Sequence, residues 1–334
     1  MSLQSREVRL KSRPTGMPTR DNFELATVDA PDPGPGEVQV RNLWMTVDPY
    51  MRGRMNDVQS YTPPFQIGQA LQGGAIGEVT VSNAPNLKPG DLVSSFFGWR
   101  EAFTAPAAIL EKLDTHGLPP QAFLGAAGMP GLTAYAGLLR VAGMKDGDVV
   151  FVSAAAGAVG QIACQIAKIK GNTVIGSAGG AEKCRYLKEI GVDHVIDYKA
   201  ESDLLGALMR AAPGGIDVYF ENVGGAHLEA ALMAARPFGR FALCGMISDY
   251  NATDGGAGIH GLIMAVGKQL KLEGFIVSTH NDMQADFRRD MAEWTAAGKM
   301  TWRETVEDGI ERAPDAFLKL FKGENLGKML VKLA

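Results

Sequence analysis

Hydrophobic and polar positions divide the chain into two kinds of pattern. Across about the first 125 residues, apolar positions alternate with polar ones or form short runs cut by turn formers. Glu37-Val38-Gln39-Val40-Arg41 alternates as a half-buried strand does, and residues 73–81 are β-rich and interrupted by glycine. Lys88-Pro89-Gly90-Asp91 is a turn signal ahead of the apolar run 92–97. Short strands with regular turns predict a small barrel. After Gly128-Met129-Pro130-Gly131 the pattern becomes helix and strand in alternation. Strands are expected at 149–153, 173–177, 194–198, 216–220, 240–245 and 272–277. Helices are expected at 158–170 ending at Gly171, at 181–190 stopped by Gly191, and at 204–211. Such alternation builds a parallel sheet covered on both faces, and right-handed crossovers make it an α/β, doubly wound (Rossmann) sheet. The alternation stops near Thr301, and residues 327–333 look like a closing strand that returns to the first domain. The expected division is 1–126 with 300–334, and 127–299.

Composition narrows the function classes. The 334 residues suit about two domains. With 46% hydrophobic and 21% charged residues, the chain is ordinary for a folded soluble protein rather than a disordered one. Lys+Arg number 33 against 37 Asp+Glu, a net charge of −4, which argues against a nucleic-acid partner because phosphate backbones need clustered positive charge. Three cysteines, Cys164, Cys184 and Cys244, cannot form a disulfide framework and suit a reducing cytoplasm. The N-terminal Met1 to Glu7 turns polar at once, so no secretory leader is expected. No charge falls between Asp148 and Lys168, yet Gln161, Gln165, Gly157 and Gly160 and a change of period midway favour a buried strand and helix over a membrane span.

The sharpest chemical signal lies in that stretch. Ala155-Ala156-Gly157-Ala158-Val159-Gly160 is an A-x-G-x-x-G form of the dinucleotide fingerprint, preceded by a strand and followed by a helix. Gly157 lets backbone approach a pyrophosphate, Gly160 lets helix pack on strand, and the helix N-terminus favours the anion. NAD-preferring sites usually carry an acid at the end of the second strand. Here that place reads Ile175-Gly176-Ser177-Ala178-Gly179-Gly180, with Lys183 next and Tyr198 ending the third strand. Ser177, Lys183 and a helix N-terminus would welcome a ribose phosphate, which points to NADP(H). P-loop, G-x-S-x-G, HExxH and CxxC patterns are absent, and the five histidines are scattered, so no metal site is expected.

These residues resemble the medium-chain dehydrogenase/reductase superfamily, through Gly131-Leu132-Thr133-Ala134-Tyr135, the A-x-G-x-x-G motif, Glu221-Asn222-Val223-Gly224-Gly225 and Cys244-Gly245-Met246-Ile247-Ser248. Asp48-Pro49-Tyr50-Met51-Arg52-Gly53-Arg54-Met55, Gly274-Phe275-Ile276-Val277 and Glu324-Asn325-Leu326-Gly327-Lys328 resemble its zinc-independent prostaglandin reductase, alkenal double-bond reductase and curcumin reductase group. The resemblance implies a GroES-like β-barrel domain beside the Rossmann domain. Where zinc members carry a C-x-x-D cysteine and a Gly-His-Glu motif, this chain has Met45-Thr46-Val47-Asp48 and Gly68-Gln69-Ala70. Thioether, amide and methyl groups do not replace thiolate and imidazole.

By that resemblance, the turn of Gly157, Ala158, Val159 and Gly160 holds the pyrophosphate, and Lys183 and Tyr198 hold the 2′-phosphate; Ala155 of the fingerprint and Ser177, read above as welcoming the phosphate, complete the expected cofactor contacts. Asn222, Cys244, Gly245, Ile247, Tyr250, Phe275, Ile276, Val277 and Asn325 surround the rest of the cofactor. Tyr50 and Tyr250 face the substrate cleft as catalytic hydrogen-bond donors, and the glycine-rich loop 254–258 could border it. The implied activity is NADPH-dependent, metal-free reduction of the C=C bond of small-molecule enones and enals. An NADPH:quinone reductase and a non-catalytic NADPH-binding sensor stand as alternatives. The implied assembly is a homodimer joined at the sheet edge near 275–277, away from membranes and nucleic acid.

Overall fold

The computed structural model describes residues 3–256 and 258–334. The chain divides into two compact units: residues 1–124, 304–325 and 329–334 form one, and residues 125–303 with 326–328 form the other.

The first unit is mostly β. Its strands are β1 (Leu3–Leu10), β2 (Phe23–Ala30), β3 (Glu37–Thr46), β4 (Ala75–Ser82), β5 (Leu92–Ser95), β6 (Ala102–Pro106) and β7 (Glu111–Lys112), with one short helix, α1 (Met51–Arg54). β1 and β2 pair as an antiparallel ribbon, and β3 is central, pairing antiparallel with both β4 and β6. Alternation explains β3: Val38 and Val40 point into a core with Val79, Val93 and Phe103, while Arg41 stays exposed. A second core gathers Met45, Met51, Met55, Trp99 and Phe317, with Trp99 stacked on Phe23 at 6.0 Å between ring centres.

The second unit is the doubly wound sheet. It runs α2 (Met129–Ala136), β8 (Val149–Val152), α3 (Gly160–Ile169), β9 (Thr173–Ala178), α4 (Ala181–Glu189), β10 (His194–Asp197), α5 (Leu204–Ala211), β11 (Ile216–Glu221), α6 (Gly225–Ala234), β12 (Ala235–Leu243), α7 (Ile263–Gly267), β13 (Lys271–Gly274) and α8 (Gln284–Ala296). The strand order β10-β9-β8-β11-β12-β13 is parallel throughout and reverses at β8, the topological switch point where such sheets take ligands. Gly160 through Ala167 are all buried, which is why this part of the chain between Asp148 and Lys168 carries no charge. Among the described residues no helix is long and apolar enough to cross a membrane.

Two expected strands shift. The 240–245 strand begins earlier, and Cys244 and Gly245 lie past its end. The 272–277 strand ends at Gly274, and a 3-10 turn starts at Val277. The apolar run there is core rather than ladder: the Phe275 ring packs edge-on against Phe220 at 6.3 Å, and Val277 packs on the same core. The exposed edge of the sheet is therefore β13 itself, not 275–277.

The chain then forms β14 (Glu304–Asp308), α9 (Ala313–Lys322) and β15 (Lys328–Lys332). β15 joins β3, completing the first unit's sheet. Ala313, Ala316, Phe317 and Leu320 fall on one helical face of α9, which buries them.

Candidate active site

The A-x-G-x-x-G residues form the turn between β8 and α3. Gly160 is demanded by contact: a Cβ there would stand 2.4 Å from Ala154 O and 2.7 Å from Ala155 Cα. At Gly157 a Cβ would meet only Ala154 O, at 3.1 Å, so the space over the turn is open for a ligand to approach. Ala155 is buried, with its N–H given to Ser177 O, whereas Gly157, Ala158 and Val159 are partly exposed. The N-terminus of α3 opens at this turn, where the helix dipole favours an anion, and its Gln161 and Ile162 N–H groups bond back to Gly157 O and Val159 O at 3.1 Å each. The C-terminal segment braces the turn, since Gly327 N–H donates to Ala156 O at 2.8 Å and Gly327 pairs with Gly157 as a parallel bridge.

A basic pocket lies at the carboxyl ends of β9 and β10. Gly179 sits under it, where a Cβ would be 2.9 Å from both the Tyr198 ring and Lys199 Cε. Asp197 accepts the Gly180 and Lys199 N–H groups at 2.9 and 3.1 Å, fixing the loop over the N-terminus of α4. Lys183, in the first turn of α4, is half-buried; burial first, and then the charge of Lys199, lower its pKa. Lys199 makes no ion pair among the described residues. Two cations held near one another suit a phosphate. Sequence reasoning missed Lys199, although it follows Tyr198 directly.

Ser177 belongs beneath this pocket rather than in it. It is wholly buried, and its Oγ is 2.9 Å from His227 Nε2. His227 in turn packs edge-on against Tyr198, at 5.2 Å between rings. Burial pushes His227 down to about 4 from 6.5. Its folded-state value is below its unfolded one, so its contribution to stability is complete above about pH 6.5 and is lost progressively as pH falls toward 4. Between pH 8 and pH 5 this one group is expected to cost about 2 kcal/mol. Urea titrations of His227→Gln should show that part of the pH slope gone; an unchanged slope would refute the assignment.

The carboxyl ends of β11 and β12 form the third part. Asn222 is held by Ser153: its N–H donates to Ser153 Oγ and its Nδ2 to Ser153 O, at 2.9 and 2.8 Å. Glu221 is fully buried and ties the same turn, accepting from Ser153 Oγ at 2.9 Å and Val223 N–H at 2.6 Å. Burial raises its pKa against those hydrogen bonds. Ile247 N–H donates to Asn222 O, and the Tyr250 hydroxyl folds back over Gly245. A groove of about 610 Å³ brings Cys244, Gly245, Phe275 and Ile276 together, with Glu273 and His280 on its wall. Val277 faces the core beside it. Burial, with the Glu221 charge behind it, pushes the Cys244 thiol up to about 12, so it is no thiolate nucleophile. The 254–258 loop includes Ala257, which lies outside the described residues.

Two predicted residues lie in the first unit. Tyr50 begins the turn that becomes α1 and is half-buried. Asn325 is partly exposed in the link between α9 and β15.

Residues 6–113 match a family described as the N-terminal domain of oxidoreductase, and residues 158–296 one described as zinc-binding dehydrogenase. The chain is 42% identical to the NADPH-dependent curcumin reductase of Escherichia coli over 97% of this chain and 96% of that one. It is 40% identical to the NADP(+)-dependent 2-alkenal reductase of Nicotiana tabacum, covering 99% and 98%. The crystal structure of CurA in complex with NADPH from Vibrio vulnificus superposes with a TM-score of 0.93 at 40% identity, over 98% of this chain and 99% of that one. The chain belongs to the medium-chain dehydrogenase/reductase superfamily, in the group of the curcumin, alkenal and prostaglandin reductases.

Zinc appears in one family description, so the metal positions of this reductase matter. Met45 is buried, and its sulfur accepts the Trp99 N–H at 3.3 Å. Gln69 gives its carbonyl to Leu10 N–H, and Ala70 bridges Arg9. Among the described residues no three His, Cys, Asp or Glu side chains gather as ligands would. From this donor chemistry, metal analysis is expected to find no stoichiometric zinc, and a strong chelator should leave turnover intact. Activity lost to the chelator and restored by zinc would overturn this.

Proposed function

We propose that this reductase uses NADPH to reduce the C=C bond of α,β-unsaturated ketones and aldehydes without a metal. The observation that carries the reading is its 40–42% identity, over nearly the whole chain, to reductases named for NADPH, curcumin and 2-alkenals; both substrates hold a C=C bond conjugated to a carbonyl. Bound in the second unit, the cofactor supplies a hydride. The Ala155–Gly160 turn would hold its pyrophosphate, and Lys183, Tyr198 and Lys199 its 2′-phosphate. Asn222, the Cys244–Ile247 segment and the Phe275–Val277 segment would hold its remaining parts. Hydride addition at the β-carbon moves the π pair toward oxygen, and a solvent-derived proton at the α-carbon completes the saturated product. Tyr50 and Tyr250 are each a proposed hydrogen-bond donor to an oxygen that gains charge, the role an oxyanion hole plays. A panel of enals, enones, quinones and saturated aldehydes, followed by NADPH absorbance, tests this. Enals and enones should lead, and turnover of quinones alone would overturn it.

The same reading includes a homodimer in the cytoplasm, where three free cysteines are at home. Ile263 and Val266 on α7 are 75% and 74% exposed, beside exposed Leu262 and Phe238. Patches of that kind mark interaction surfaces, and the bare β13 edge invites a second sheet. Light scattering at micromolar concentration should give twice the chain mass, and Ile263→Glu with Val266→Glu should halve it. A monomeric wild type would refute the dimer.

A further inference from the structure

We propose that Arg54 is a positioning residue that orients and polarises the Tyr50 hydroxyl, an inference that rests on Tyr50 being a substrate hydrogen-bond donor. Tyr50 and Arg54 stand four residues apart on the turn that forms α1, so their side chains lie on one face. The Arg54 guanidinium and the Tyr50 hydroxyl act on one another electrostatically. Arg54 is buried, yet it forms no ion pair with a carboxylate among the described residues. Its Nε donates to Pro63 O at 2.8 Å and its Nη2 to Gln72 Oε1 at 2.9 Å, while Phe65 covers it with its ring centre 4.1 Å away. A buried cation is costly without a countercharge. These neutral partners fix the plane of the guanidinium and leave its charge uncompensated. The groups acting on Tyr50 are Asp48, Arg54 and Tyr61. Asp48 is engaged by the Thr46 hydroxyl at 2.8 Å.

The chemistry follows from that placement. A phenol polarised by a neighbouring cation becomes a stronger donor through its own proton, since linked polar groups polarise one another. Reduction creates negative charge on the substrate oxygen only as hydride adds. A fixed, unneutralised cation behind the donor therefore favours the transition state over the ground state.

The test is a double-mutant cycle with Arg54→Gln and Tyr50→Phe, read as enone kcat/KM and as the Kd of 4-nitrophenolate with NADP⁺ bound. That phenolate imitates the charged oxygen and is not turned over. Arg54→Gln should lower kcat/KM about 10-fold, mainly in kcat, and weaken the phenolate by a similar factor, but change either by less than about 2-fold when Tyr50 is already Phe. Arg54→Lys, which keeps the charge, should recover most of the loss, and it carries the cycle if Arg54→Gln does not fold. Equal losses in both backgrounds would overturn the role of Arg54 alone. Full activity of Tyr50→Phe would instead overturn the reading of Tyr50 on which it rests.

Discussion

Replacing Lys183 with alanine is expected to weaken NADPH binding about 10- to 150-fold and to leave NADH binding nearly unchanged. A charge-assisted hydrogen bond to phosphate is worth roughly 1.5–3 kcal/mol, and only NADPH carries the 2′-phosphate. The structure sharpens the experiment by adding Lys199. Burial first, and the charge of Lys199 after it, depress the pKa of Lys183, and an anion beside Lys183 would relieve both costs. Lys199 is exposed, and its single replacement should cost less, about 3- to 10-fold. The double variant should lose about 10²- to 10³-fold for NADPH and bring the two cofactors close to parity. Isothermal titration of both dinucleotides against the three variants checks this. Equal losses for NADPH and NADH would mean that the two lysines hold something other than the 2′-phosphate.

The second unit was legible because its signals are local. Changes of period mark the elements, Gly171 and Gly191 mark the helix-to-strand steps after α3 and α4, and the dinucleotide turn announces itself in six residues. Where the reading failed, the deciding contacts were between distant residues. β9 is buried on both faces, so nothing in its sequence tells which way Ser177 points; its partner, His227, is fifty positions away on α6. Phe275-Ile276-Val277 has the composition of a strand, but Phe220 and the neighbouring core draw its side chains out of the ladder. Lys199 carries no marker in the sequence, and only its packing on Gly179 places it over the end of β9. Gly327, quoted only as part of a terminal motif, turns out to brace the pyrophosphate turn from across the sequence. The helix α9 was missed because a single amphipathic segment outside an alternating pattern carries no marker of the sheet it covers.

Changing Tyr50 or Tyr250 to phenylalanine should cost about 5- to 100-fold in enone kcat/KM while NADPH affinity barely moves. Each substitution removes one hydroxyl and keeps the ring, so the loss measures a donor rather than packing. Tyr50 is suited to donate. Burial first, and the Asp48 charge after it, push its phenol well above the ordinary value, against the opposing pull of Arg54. It therefore keeps its proton at every working pH and supplies a hydrogen bond rather than a negative charge. A neutral donor loses nothing when the substrate is neutral and gains as the oxygen becomes an enolate, so the penalty should fall on kcat more than on KM. Tyr250 stands in the loop just past the carboxyl end of β12, where doubly wound sheets place their ligands. Where both hydroxyls serve the same oxygen each compensates for the loss of the other, and the double Phe variant is then expected to be worse than either single, with a loss exceeding the product of the two. Enone kinetics with NADPH saturating, beside NADPH titrations for each variant, decide the matter. Full activity in both singles and the double would leave neither tyrosine as the donor. A loss confined to NADPH affinity would move Tyr250 from the substrate to the cofactor, the second place its loop can serve.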